Sequence, residues 1–160
     1  MPVEVLDGDL FQQDVEAIVN PWNRNFIPWW LLLPQGVSGQ LKRLGGTQPF
    51  KEVGKHGLLK VGQAVRTSAG RLPFEHVIHV AALEWYWRAS ERSVRMGAEN
   101  AVELAKELDV NSIAFPLLGS GTGGMRADKS IDLISGACAD AAPDLRVKIV
   151  RYSKAEGGAA

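Results

Sequence analysis

The chain has 160 residues and a mass of 17.4 kDa, room for one domain and not comfortably for two. Hydrophobic residues make up 46% and charged residues 22%, which excludes a disordered or collagen-like chain and supplies a sizeable core. The 18 basic and 18 acidic residues cancel, against strong attraction to nucleic acid or anionic membrane, and one cysteine, Cys138, excludes a disulfide framework.

A reducing cytoplasm is the compartment that this cysteine usage suits. The opening MPVEVLDGDLFQQD has no basic region followed by an apolar core, so it does not read as a secretory signal. The longest apolar run, PWWLLLP at residues 28–34, is too short to cross a bilayer.

Residues 3–6 (VEVL) suit an edge strand, and residues 16–20 (EAIVN) suit a buried strand that reaches a loop. Residues 37–44 predict a short helix stopped by Gly45 and Gly46. Residues 63–67 (QAVRT) alternate as a strand, with Ser68, Ala69 and Gly70 as its turn. Residues 76–81 (HVIHVA) predict a stronger strand. From Ser90, which suits an N-cap, Val94, Ala98, Ala101, Val102, Ala105 and Leu108 recur at helical spacing. Residues 112–118 (SIAFPLL) are a continuous apolar run that leads into GSGTGG. Asp128 suits the cap of a helix that carries Ile131, Leu133, Ile134 and Ala137. Residues 145–152 (LRVKIVRY) alternate as a final strand, and AEGGAA suits a frayed tail. This alternation predicts an α/β sandwich with a largely parallel sheet, whose ligands sit beyond the carboxyl ends of the strands.

Two loops fall there. Gly119, Ser120, Gly121, Thr122, Gly123 and Gly124 follow a predicted buried strand and precede a predicted helix, so successive N–H groups can converge on an anion. The hexapeptide fits the dinucleotide fingerprint, but only 36 residues follow it, too few for the further βαβ units of that fold. A Walker A loop fails as well, because Lys129-Ser130 follows Asp128 where a glycine is required. The second loop opens at Asn20-Pro21-Trp22-Asn23 and runs to Gly36-Val37-Ser38-Gly39. Asn20 and Asn23 offer donors and acceptors suited to sugar hydroxyls, although Asn20 also suits an Asx-turn into Pro21. Gly36 and Gly39 suit a second anion-binding turn, and two such loops point to a nucleotide-sugar. Asp9 suits an exocyclic amine such as adenine's, or else a simple turn.

Taken in order, these segments resemble the macrodomain family, which binds ADP-ribose. The matching residues are GDL at 8–10, VEAIVNPWN at 15–23, GVSG at 36–39, VGQAVRTSAGRLP at 61–73, HVIHV at 76–80 and SIAFPLLGSGTGG at 112–124. The resemblance implies a three-layer α/β/α sandwich on a mixed, mostly parallel sheet, one domain over residues 1–154 and a flexible tail over 155–160. It implies that Asp9 holds the adenine amine, with a backbone contact from Leu10. Gly36, Val37 and Ser38 would line the first phosphate loop, and Ser120, Gly121 and Thr122 would cradle the diphosphate from the other side. Asn23 would contact the distal ribose and Tyr152 would stack on adenine. The activity implied is ADP-ribose binding with hydrolysis of ADP-ribose from modified protein side chains, a water being positioned by Asn23, Ser38 or a substrate phosphate. The rivals are a non-catalytic reader and an O-acetyl-ADP-ribose deacetylase. The expected partner is ADP-ribose or an ADP-ribosylated protein, with no cofactor, metal, membrane or nucleic acid, and the chain is expected to be a monomer.

Three departures from the family pattern stand out. The connection over residues 24–35 is long and carries Phe26, Trp29 and Trp30. Ser38 stands where hydrolytic members often have the aspartate assigned to water activation, and a lone serine is a poor base. Gly123 occupies the place of a usual aromatic. The five tryptophans fall in two clusters, Trp22, Trp29 and Trp30, then Trp85 and Trp87, read as partly structural or as a lid over the distal ribose. His56, His76 and His79 have no metal spacing, His79 reads as a buried strand histidine, and Cys138 reads as core.

Overall fold

The computed structural model of the chain describes residues 3–22, 36–84, 88–121 and 123–152. Its strands are β1 (Val3–Gly8), β2 (Ala17–Pro21), β3 (Ala64–Thr67), β4 (His76–Val80), β5 (Ser112–Phe115) and β6 (Arg146–Tyr152). They form one sheet in the order β1-β6-β5-β2-β4-β3, in which every neighbouring pair is parallel except β3 with β4. The helices among the described residues are α1 (Gly36–Gly45), α2 (Gln48–Gly54), α3 (Glu91–Glu107) and α4 (Ala127–Ala141).

Period-two alternation along the strands sorts the core into two sides. Ala17, Val19, Ile78, Val80, Ile113, Phe115, Val147 and Ile149 point to one face, where α3 and α4 cover them. Ile18, Val77, Ala114 and Val150 point to the other, against Leu41 of α1, Phe50 of α2 and Leu10 and Phe11 of a short 3₁₀ turn. The result is the α/β/α sandwich, with each fully buried Val, Ile or Phe contributing about 1.5–3 kcal/mol of transfer free energy. Helix α3 begins as expected. The Ser90 side chain accepts from the Ser93 N–H at 2.9 Å and Ser93 Oγ accepts from the Ser90 N–H at 2.9 Å, a reciprocal cap. Val94, Ala98, Ala101, Val102 and Ala105 are its buried stripe.

The structure corrects several expectations. Strand β1 runs two residues further, to Gly8, and β5 stops at Phe115 because Pro116 has no N–H for the ladder. Helix α2 has no counterpart in the sequence reading. It is seven residues long, with Pro49 in its first turn and Phe50 and Val53 buried three residues apart. Asp128 is not the cap of α4: that place belongs to Arg126, and Asp128 sits in the first turn. An acidic side chain suits the positive end of the helix dipole at either place, which is why the sequence did not separate them. Cys138 is fully buried as expected, and burial pushes its thiol up to about 12.

Because five strands run in one direction, their carboxyl ends at Gly8, Tyr152, Phe115, Pro21 and Val80 share one rim of the sheet. The chain leaves β2 for α1 on one face and leaves the adjacent β5 for α4 on the other. Neighbouring strands whose connections part in this way open a crevice at the rim, the usual place for a ligand in such sheets. A cavity of about 370 Å³ lies instead at the amino ends of the strands, lined by Asp14, Glu16, Glu75, Asn111, Ser112 and Arg146. Its polar groups tie the fold together, as where Arg146 donates to the Asp14 carbonyl and Glu16 accepts from the Ser112 N–H. No helix among the described residues is long and apolar enough to cross a membrane.

Candidate functional site

On one side of the crevice stands the glycine loop after β5. It is tightly folded: the Met125 N–H donates to the Gly119 carbonyl at 2.9 Å and the Gly124 N–H to the Gly121 carbonyl at 3.2 Å. Gly119 has a φ of +78°, and a β-carbon there would stand 2.7 Å from the Ala89 methyl. Only glycine tolerates both conditions. Gly123 is equally confined, since a β-carbon would meet the Gly119 carbonyl oxygen at 2.5 Å. The Ala89 N–H donates to the Gly123 carbonyl at 3.1 Å, which ties the loop to the approach of α3.

Gly121 is different. It is exposed, and a β-carbon there would meet nothing within 4 Å. The Ser120 hydroxyl turns back to the Leu117 carbonyl at 3.0 Å, so its oxygen is part of the turn. The Arg88 guanidinium lies over Gly124, 3.4 Å from the place of a β-carbon. The sequence reading did not select Arg88, whose only signal is its position after EWYW. Thr122 lies outside the described residues.

The other side of the crevice is the first turn of α1. The helix predicted over residues 37–44 begins one residue earlier, so GVSG forms its first turn, with Gly36 at φ +58°. The first N–H groups of a helix have no partner within it, so this turn carries orphan donors and the positive end of the dipole. Val37 packs, partly buried, against the core cluster that includes Leu41 and Phe50. The Ser38 hydroxyl points inward: Oγ donates to Asn20 Oδ1 at 3.0 Å and contacts the Pro21 carbonyl at 3.1 Å. Its single proton is therefore committed to the protein.

Asn20 was read as a ligand contact, and here the structure overrules the sequence. Its side chain is 0% exposed and closed in by Ser38 on one side and His79, 3.1 Å away, on the other. A polar side chain at a strand end near a predicted cleft looks free in the sequence, yet this one fills a buried position of β2. Asn23, Trp29, Trp30, Trp85 and Trp87 lie outside the described residues. Trp22 stacks obliquely on Phe50 at 5.8 Å and edge-on to His79 at 5.9 Å, a packing role.

At the far end of the rim the register pairs Gly8 with Tyr152, a residue 65% exposed, and Asp9 follows Gly8 in the chain. Asp9 Oδ1 accepts from the Phe11 N–H at 2.9 Å and so caps the 3₁₀ turn, which leaves its second carboxylate oxygen uncommitted by that bond. The Leu10 side chain belongs to the core, so only its main chain is available to a ligand. Among the described residues no group of three or more His, Cys, Asp or Glu stands close enough to hold a metal ion.

The chain is similar to known proteins in both sequence and shape. The family model described as Macro domain matches residues 19–134. An uncharacterised protein of Aquifex aeolicus is 36% identical over 126 residues, 78% of this chain and 73% of that protein. A macrodomain variant of Oceanobacillus iheyensis solved with ADPR superposes with a TM-score of 0.80 at 23% identity, covering 96% of this chain and 87% of that one. A Trypanosoma brucei macrodomain in complex with ADP-ribose superposes with a TM-score of 0.79 at 18% identity, covering 96% of this chain and 65% of that one.

Proposed function

The chain belongs to the macro domain family, and from that premise we propose that it binds ADP-ribose, free or attached to a protein side chain. The observation that carries this reading is the placement of two turns, the first turn of α1 after β2 and the glycine loop after β5, beyond the carboxyl ends of adjacent parallel strands. A diphosphate has two anionic groups to place, and backbone N–H groups at a helix start and in a glycine turn suit both. The Arg88 guanidinium adds positive charge beside Gly124. Asp9 and Tyr152, both at the carboxyl end of the β1–β6 pair, suit the amine and the face of adenine. The solved relatives that carry ADPR or ADP-ribose support the same ligand class.

Hydrolysis of the protein–ribose bond is the finer half of the proposal. Ser38 does not supply the base, because its proton is directed into the protein and its neighbour is an amide. The attacking water is then held by Asn23 or a ligand phosphate, and positioning alone lowers the barrier. Calorimetry with ADP-ribose tests the binding reading, and micromolar affinity is expected. On the same sample, release of ADP-ribose from a mono-ADP-ribosylated protein above a Gly121→Glu control assigns hydrolysis. Binding without release makes the chain a reader of the mark, and absence of binding removes the ligand assignment.

A further inference from the structure

We propose that Thr67 and His79 are positioning residues that hold the ligand-bearing first turn of α1 in place through Asn20 and Ser38. This rests on the binding reading above and adds to it two residues remote from the crevice. Asn20, His79 and Thr67 come from β2, β4 and β3, three adjacent strands, and each side chain is fully buried. Asn20 lies directly opposite His79 in the register, and Thr67 is the diagonal neighbour of His79, two residues along from Val65.

The protons in this row can be assigned one by one from the network. Glu52 of α2 accepts from the Ser68 N–H at 2.8 Å and the Ser68 hydroxyl at 2.6 Å, which fixes the Ser68 backbone. Thr67 Oγ1 donates to the Ser68 carbonyl at 2.9 Å, so its proton is spent. Toward His79 Nε2, 2.8 Å away, Thr67 can then only accept, and Nε2 must carry the ring proton. The neutral ring leaves Nδ1 as an acceptor, and it takes a proton from Asn20 Nδ2 at 3.1 Å. That choice orients the amide, with Oδ1 facing Ser38, which donates to it at 3.0 Å. Each orientation follows from the one before.

Burial drives the His79 ring toward the neutral form, with its pKa lowered to about 3. Trp22 lies edge-on to the ring and helps to screen it. A protonated ring, or one with its proton on Nδ1, would present an N–H to the Asn20 amide hydrogens, turn the amide, and set its NH₂ group against the Ser38 hydroxyl proton. The first turn of α1 would lose its tie to β2 other than the Pro21 carbonyl contact.

The test compares Thr67→Val, which keeps the shape and removes the hydroxyl, with Thr67→Ser, which restores it. Binding of ADP-ribose is measured by calorimetry, and the His79 ring is read by long-range proton–nitrogen spectra of the unaltered chain. The expected spectrum is a neutral Nε2–H ring at neutral pH. Thr67→Val is expected to weaken ADP-ribose by about fivefold, the scale of one neutral hydrogen bond. Thr67→Ser is expected to return affinity to near the unaltered value, and Thr67→Val combined with Ser38→Ala should bind no more weakly than Ser38→Ala alone. A merely structural role would lower the melting temperature and leave affinity untouched. Unchanged affinity in a folded Thr67→Val chain overturns the proposal. So does an Nδ1–H or charged His79 ring, which is read even where the variant does not fold. If the unaltered chain shows the expected ring but binds no ADP-ribose, the binding reading fails, and the positioning role fails with it.

Discussion

The Met125 N–H reaches back 2.9 Å to the Gly119 carbonyl and ties the two ends of the glycine loop together, with Gly121 exposed. The loop's own bonds and packing do not involve any side chain at 121, where a β-carbon would meet nothing within 4 Å. Gly121→Glu is therefore expected to fold with its melting temperature nearly unchanged, like other substitutions at open surface positions. Its carboxylate would occupy the phosphate position and weaken ADP-ribose by about two orders of magnitude or more, the result of several kcal/mol of like-charge repulsion. Calorimetry beside a thermal melt checks both parts, and retained affinity would remove the loop from the site.

Gly119 predicts the opposite outcome. With φ at +78° and the Ala89 methyl in the way, Gly119→Ala is expected to lower stability by roughly 1–3 kcal/mol through backbone strain alone, before any crowding is counted. A chemical-denaturation curve measures it. A stability loss below about half a kcal/mol would contradict the packing described for this loop.

Asp9 has two roles that separate by substitution. Asp9→Ala loses the cap on the Phe11 N–H and should cost about 1 kcal/mol of stability, whereas Asp9→Ser keeps a capping oxygen. Both shorten the reach toward an adenine amine, so both are expected to weaken ADP-ribose by roughly 1–3 kcal/mol. Equal affinities for Asp9→Ser and the unaltered chain would take Asp9 out of the ligand site.

Placing a carboxylate at 38 is expected to harm the protein and not to create a base. In Ser38→Asp the new oxygens would face Asn20 Oδ1 and the Pro21 carbonyl, which now accept from the serine proton. The Asn20 amide cannot turn to help without disturbing His79. A loss of roughly 1–3 kcal/mol in stability is expected, the cost of buried polar groups left unpaired. Thermal melts and a release assay read the two sides of this statement.

His79 also sets a pH dependence of stability. Burial lowers its folded pKa from 6.5 to about 3, so the unfolded chain takes up a proton that the folded chain refuses. Stability is therefore full above 6.5 and declines as the pH falls below it. At pH 4.5 the difference amounts to roughly 2–3 kcal/mol. Glu52 adds a loss of the same sign at lower pH. Its burial pushes upward, but hydrogen bonds from Ser68 and Gln48 outweigh that and hold its carboxyl below the usual 4.5. Denaturation at pH 6.5 and 4.5, compared with His79→Gln, isolates the histidine, since His76 and the carboxylates are common to both chains.

What the sequence made legible were features with a long or redundant signal. The stripe from Val94 to Ala105 needs a helix, and Ser90 before it needs to be the cap. A continuous apolar run into a glycine cluster identifies a strand that ends at a ligand-sized turn, wherever the strand itself stops. Helix α2 escaped because seven residues give only three buried apolar positions, Pro49, Phe50 and Val53, too few to show a period. Asn20 and Ser38 were visible as residue types suited to a site but not as partners. The bond between them depends on how α1 docks on β2, across a connection whose length says nothing of its path. Thr67 and His79 were invisible as a unit for the same reason: they meet only because β3 turns back antiparallel to β4.

The ladder between β2 and β5 pairs only Ala17 with Ile113 and Ile18 with Ala114. At this short seam the sheet joins β4 and β3 on one side to β6 and β1 on the other. A ligand that engages the turns after both strands serves as an additional rung at the open end. Binding energy then enters the sheet itself, and the backbone amides nearest the seam should exchange more slowly with solvent in the complex.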